Sequence, residues 1–106
     1  MNRPKNSPWG AVQDCDEYAD GIAFVYTASH GGIVLSAARE RKVAHLKGAN
    51  FLGSTKYWEE DCDWSIPFVV FQDDIREAWA QPQDMFETML AAAKKTIEHY
   101  HSELSL

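Results

Sequence analysis

The spacing of hydrophobic and polar positions changes along the chain, and the change predicts its elements. Ile22 to Thr27 is short, apolar and rich in β-branched and aromatic side chains, and Ile33-Val34-Leu35 repeats that character soon after. Two such runs predict paired strands, and Ser29-His30-Gly31-Gly32 between them predicts the turn of a β-hairpin. The two glycines read as residues free to adopt positive φ in that turn. Upstream, Asp14, Asp16, Glu17 and Asp20 form an acidic stretch that predicts one short helical turn, broken by Gly21. Residues 1 to 8, with prolines at 4 and 8 and little to bury, predict a flexible arm. Trp9-Gly10 would anchor the start of the domain.

After the hairpin the period lengthens. Ser36 is placed to cap a helix from about Ala37 to Leu46. Its face of Ala38, Lys42/Val43 and Leu46 is only partly apolar, and Arg39, Arg41, Lys42 and Lys47 make it the basic element of the chain. Gly48 to Lys56, with Gly48, Asn50, Gly53 and Ser54, reads as a loop. Trp64 to Phe71 reads two ways. Its β-branched content fits a strand, but a helix capped by Asp63 would carry Pro67 in its first turn, where a missing N–H costs nothing. The acids at 59 to 63 would then sit at the positive end of the helix dipole, and helix is the preferred reading. From Pro82, read as the first helical residue, Phe86, Met89, Leu90, Ala93, Ile97, Tyr100 and Leu104 recur at three- and four-residue spacing. Glu87, Lys94, Lys95, Glu98 and Glu103 take the opposite face. The expected class is α+β: a small antiparallel sheet or hairpin packed against helices, with a long amphipathic C-terminal helix. Residues 9–106 would form its single domain.

Charge narrows the function classes. Sixteen acids against ten bases give a formal charge of −6, which argues against direct nucleic-acid binding through phosphate contacts. An acidic surface fits docking on a basic partner. The polar N-terminus lacks the apolar stretch of a secretory signal, and no apolar run approaches the ~20 residues of a membrane span. The chain is therefore expected in the cytoplasm, where Cys15 and Cys62 would stay unpaired.

The unusual chemistry lies in two segments, Ala28 to Gly32 and Trp58-Glu59-Glu60-Asp61-Cys62-Asp63-Trp64. His30 at a hairpin tip could serve as a base or ligand, or simply hydrogen-bond its own turn. Cys62 is a poor nucleophile between Asp61 and Asp63, since neighbouring negative charge raises a thiol pKa, and it reads better as a small buried residue. Glu59, Glu60, Asp61 and Asp63 offer oxygen to a hard cation, yet lack the spacing and glycine of an EF-hand loop, and no metal is expected. Cys15, His30, His45, Cys62, His99 and His101 show no zinc-type pairing. His99 and His101 read as surface residues near a helix C-terminus. No phosphate-loop, dinucleotide, nucleophile-elbow or zinc-protease motif occurs, so no cofactor is expected. Trp9, Trp58, Trp64 and Trp79 exceed what so small a core needs, and tryptophan is enriched at binding hot spots.

Pro8-Trp9-Gly10, Gly21-Ile22 with Thr27-Ala28-Ser29-His30-Gly31-Gly32, Leu35-Ser36, and Trp58 through Trp64 together resemble a family of small uncharacterised proteins. That family is a domain of unknown function met in bacteria, plasmids and phages. The resemblance covers about residues 8 to 72 and leaves the terminal helix outside. It implies a bacterial or mobile-element origin and a compact α+β domain. It implies no reaction, and gives no catalytic role to the motif residues His30, Gly31, Gly32, Glu59, Glu60, Asp61, Cys62, Asp63 and Trp64. Pro67 and the C-terminal helix are where this chain would differ from relatives.

Two functions of different class follow. The first is a small acidic binding protein of a phage or mobile element. It would inhibit a host defence complex, of anti-CRISPR or anti-restriction type, by protein–protein contact or by mimicking nucleic acid. Its contacts would be Glu59, Glu60, Asp61, Asp63, Asp73 and Asp74, with Trp58 as hydrophobic anchor. The alternative is a small hydrolase or metal-dependent enzyme centred on His30 and the acidic Glu59–Asp63 segment, with His30 as general base and Asp61 or Asp63 orienting it or holding a cation. The 28–32 and 58–64 segments are expected to meet in space. A monomer is favoured over a homodimer.

Overall fold

The computed structural model describes residues 3–50 and 52–106, with the backbone alone at 47–49. The chain forms strands β1 (Asn6–Ser7), β2 (Gly10–Ala11), β3 (Asp14–Ala19), β4 (Ile22–Tyr26), β5 (Gly31–Leu35) and β6 (Tyr57–Glu59). Its helices are α1 (Ala37–Lys42), α2 (Ser65–Val70), α3 (Gln72–Ala78) and α4 (Gln83–Tyr100), with a 3-10 helix at Ala44–Ala49. Strands β3 to β6 make one antiparallel sheet in sequence order, and β1 pairs with β2 alone. The α+β class is as the apolar pattern predicts.

The predicted hairpin is present, with Tyr26 opposite Gly31 and Ile22 opposite Leu35. Its four-residue turn is closed by the Thr27 amide donating to the His30 carbonyl at 2.8 Å. The Thr27 hydroxyl donates to the same oxygen at 2.7 Å. The acidic stretch before it is a strand, not the expected helical turn. Asp14 to Ala19 pairs with β4 as an edge strand that exposes its acids and buries Tyr18 and Ala19. A mixed acidic edge discourages further strand pairing.

Side-chain alternation gives the sheet two covered faces. Ile22, Phe24, Ile33, Leu35 and Trp58 share one face through the strand register, and join Ile66, Phe68, Ile75, Phe86, Leu90 and Ile97 in the core. The helices therefore lie on that face. Tyr18, Phe68, Trp79 and Phe86 form its aromatic centre, with Phe68 and Phe86 centroids 5.5 Å apart. Trp64 packs edge-on against Phe68 at 5.5 Å. Most of the supposed surplus of tryptophan is thus core. The opposite face, marked by Ala23, Val34, Gly32 and Tyr57, is covered by Trp9 from the β1–β2 connection, edge-on to Tyr57 at 6.1 Å. Part of the expected N-terminal arm, residues 6–7, is folded into β1, while residues 1–2 lie outside the described set.

The helices follow their patterns with shifted ends. Ser36 caps α1 by accepting from the Arg39 amide at 3.4 Å, but α1 stops at Lys42 and gives way to the 3-10 helix. Arg39 does not belong to a free basic face. It donates to the Asp20 carbonyl, pairs with Asp74 and lies 5.0 Å over the Phe71 ring. The Lys47 side chain, counted in that face, lies outside the described residues. Residues 65–70 are helical as preferred, with Pro67 inside the first turn. Helix α4 begins one residue after Pro82 and buries Phe86, Leu90, Ala93 and Ile97. Leu104 lies beyond its end, half-buried against the core, while Tyr100 is exposed. Among the described residues no helix is long and apolar enough to cross a membrane.

Burial raises the Tyr18 phenol above its ordinary range. The Tyr26 phenol is pushed up to about 12 by burial first, then by its hydrogen bond to Asp16 at 2.8 Å. The folded chain therefore keeps phenolic protons that the unfolded chain has lost. Stability should be intact below pH 10 and fall as pH rises from 10 towards 12. Urea midpoints across that window test this, and Tyr26→Phe should flatten part of the fall.

Candidate functional site

Glu59, the last residue of β6, stands opposite Gly32 and organises the acidic segment that follows. Its carboxylate accepts three backbone N–H groups: Asp61 at 2.7 Å, Cys62 at 2.7 Å and Asp63 at 3.0 Å. A carboxylate gathering consecutive amides fixes a tight turn, and bonds to a charged acceptor are the stronger kind. The Trp64 amide donates back to the Glu59 carbonyl, and the Ser65 hydroxyl to the Cys62 carbonyl at 2.6 Å. The run of acids is therefore a structured turn leading into α2. Glu59 is spent inside it.

Asp63 was expected to cap α2, but the N-cap position is held by Trp64, which makes no side-chain cap bond. It is buried at 3% exposure, with Oδ1 3.1 Å from Nε2 of His101. His101, expected at the surface, is itself only 9% exposed. This buried imidazole–carboxylate contact fastens the end of α4 to the acidic turn. The signal was present in the sequence: His101 lies four residues after Ile97 and continues the stripe of Phe86, Leu90, Ala93 and Ile97.

The glycines serve close approach, not turn geometry. Gly31 and Gly32 both lie in β5, and neither has the positive φ found at Gly10, Gly21 and Gly53. A Cβ on Gly32 would stand 2.3 Å from the Trp58 carbonyl oxygen and 2.5 Å from the Trp9 ring. One on Gly31 would meet the Val25 carbonyl oxygen at 2.5 Å. Trp9 lies against the bare backbone at Gly32 because nothing projects there.

The two segments singled out from the sequence do meet. The Glu60 amide donates to the Gly31 carbonyl at 3.0 Å, and His30 Nδ1 stands 3.7 Å from a Glu60 carboxylate oxygen. Around this junction lies an open cavity of about 670 Å³, walled by Trp9, Leu52 and Tyr100 and bordered by His30, Glu60, Asp61, Cys62 and His101. Among the described residues no lysine or arginine lines it.

Its chemistry differs from both expectations. His30 faces Glu60; of the two residues offered as its orienting partner, Asp63 is buried against His101 and Asp61 lines the cavity. The Cys62 thiol is pushed up by burial and then by Glu59, Asp63 and Asp61, which disfavours the reactive thiolate. Among the described residues no three His, Cys, Asp or Glu side chains converge to hold a metal ion. The proposed contact set divides as well. Trp58 is fully buried, its indole N–H donating to the Thr55 carbonyl, so it is core and no surface anchor. Asp63 is buried. Asp73 and Asp74 lie on α3, beside Arg76 and Arg39 respectively, and do not line the cavity. Glu60 and Asp61 remain at its rim. Trp9, Tyr100 and His101 were not in the predicted set.

A protein-family model described as a domain of unknown function, DUF7007, matches residues 2–104, and the chain belongs to that family. The match extends past the 8 to 72 of the resemblance read from the sequence and takes in nearly all of the C-terminal segment, which that resemblance left outside. No curated protein and no solved structure matches.

Proposed function

We propose that the protein is a small acidic binding protein whose contact with a protein partner is centred on the cavity between the hairpin tip, the acidic turn and the end of α4. The observation that carries this reading is the cavity itself. It is large for so small a domain, apolar in its walls and acidic at its rim. Binding sites are concave and mostly apolar, with few polar groups. Its described residues come from five separate stretches of chain, three of which are held together by dedicated contacts, Glu60 to Gly31 and Asp63 to His101. A catalytic reading gains less, because burial and its acidic neighbours raise the Cys62 thiol pKa and the carboxylate facing His30 is itself partly exposed. Nucleic-acid mimicry also loses ground: Glu59 and Asp63 point into the fold, and Asp73 and Asp74 stand beside arginines of the same chain. That the partner belongs to a host defence complex rests on size, net charge and the missing catalytic signature, and enters the proposal on those grounds.

The test places a photo-crosslinking residue at Tyr100, on the cavity wall, and in a second protein at Thr88, about 18 Å back along α4. Crosslinks in host lysate from position 100 and not 88 are expected, with loss of the same species in E60K/D61K. Glu59 must be left intact, because its reversal would collapse the turn. Equal crosslinking from both positions, or a species untouched by the charge reversal, removes the cavity as the contact surface.

A further inference from the structure

We infer that the cavity receives an arginine side chain presented by the protein partner; this rests on the cavity being the contact surface. The chain itself shows how it holds guanidinium groups. Arg39 lies 5.0 Å over Phe71 and pairs with Asp74. Arg76 lies 4.9 Å over Phe86 and pairs with Glu87 at 3.5 Å. In each case an aromatic face meets the planar cation and a carboxylate takes its N–H groups, the combination that favours arginine over lysine.

The cavity offers both components, and among the described residues no lysine or arginine lines it. Trp9 and Tyr100 supply aromatic surface, and Tyr100 is 59% exposed, although it ends a helix that buries its other large apolar residues except Met85 and Met89. Glu60 and Asp61 supply charge. The Asp61 carboxylate has no ion pair or hydrogen bond among the described residues, and the Glu60 carboxylate has His30 alone, at 3.7 Å and partly exposed. The other two carboxylates in the lining are committed, Glu59 to three amides and Asp63 to His101. An apolar wall with an acidic rim, lined by no lysine or arginine among the described residues, is complementary to a cation on an apolar stem. A side chain of three methylenes ending in guanidinium has that form.

The test is a ¹⁵N NMR titration with acetyl-Gly-Arg-Gly-amide, with its citrulline counterpart and agmatine in parallel. The arginine peptide should shift the amides of Gly31, Asp61 and Cys62 and the Trp9 indole N–H. The citrulline peptide, equal in shape but uncharged, should bind at least about tenfold more weakly, as should the arginine peptide to E60Q/D61N. Glu60 and Asp61 carry no bond that holds the turn through their side chains, so the double variant should melt as the parent does. Equal binding of the two peptides would show an apolar site indifferent to charge, and shifts confined to other residues would remove the site; either overturns the inference. Agmatine binding as tightly as the peptide would overturn the assignment to a protein side chain in favour of a free amine. Crosslinking from position 100 that survives while the peptide fails leaves the cavity as a contact surface and removes only the arginine.

Discussion

Gly32→Ala should destabilise the fold by about 3 kcal/mol, more than most single-methyl additions, because the new atom meets backbone on one side and an indole on the other. The two closest approaches are 2.3 Å to the Trp58 carbonyl oxygen and 2.5 Å to Trp9. The carbonyl belongs to β6 and cannot swing away without breaking the β5–β6 pairing, where Ile33 lies opposite Trp58. Trp9 can move, but only by leaving the sheet face and opening the wall of the cavity. The alanine recovers part of the cost by restricting the unfolded chain, about 0.4–1 kcal/mol, too little to compensate. Gly10→Ala is the control. Gly10 has φ +118° with nothing within 4 Å of a built Cβ, so its cost is backbone strain alone, about 1–2 kcal/mol. Urea unfolding separates the two, and the Trp9 indole N–H signal should move in G32A. A G32A stability within about half a kcal/mol of the parent would mean that the Trp9–Gly32 contact does not shape the site.

This glycine marks where the sequence was legible and where it was not. Hairpin, class and terminal helix were readable because each depends on local period and turn chemistry: Ile22 to Thr27, Ile33 to Leu35, and the stripe from Phe86 to Ile97. Gly31-Gly32 beside a turn invited a positive-φ reading. The actual constraint is the approach of Trp9 and Trp58, which no local pattern records. Asp14 to Ala19 misled for a related reason. Its acids have poor strand propensity, but pairing with β4 along an edge, with Tyr18 and Ala19 buried, overrides propensity. The site divides the same way. That the 28–32 and 58–64 segments meet was expected, and they do. Which acids face solvent could not be read from their order, because it depends on a carboxylate folding back onto amides two to four residues ahead and on a histidine 38 residues away. Trp58 failed as a surface anchor for the plainest reason: it faces the helices.

Glu59→Ala should cost about 3 kcal/mol, and the loss should be local before it is global. Three amides lose a charged acceptor at once. Each such bond is worth about 1.5–3 kcal/mol, and the sum is reduced because a partly exposed turn lets water reach the freed N–H groups. Glu59→Gln separates geometry from charge. One oxygen, Oε1, accepts from both Cys62 and Asp63, so an amide carbonyl in its place keeps two of the three bonds while Asp61 faces an NH₂ donor. Glutamine should therefore cost roughly half as much as alanine, about 1.5 kcal/mol. Hydrogen exchange is the decisive measurement. In E59A the amides of Asp61, Cys62 and Asp63 should exchange far faster, while the β4 amides paired to β5 keep their protection up to the lowered global limit. Uniform loss of protection would instead make Glu59 an ordinary contributor to the whole fold. Unchanged exchange at residues 61–63 would mean that the turn holds itself. The predicted pattern has a consequence for binding: a chain with E59A would keep its sheet and helices but present Glu60 and Asp61 on a loosened rim. Partner affinity should then fall although neither rim charge has been altered, because the turn no longer holds those charges where a ligand meets them.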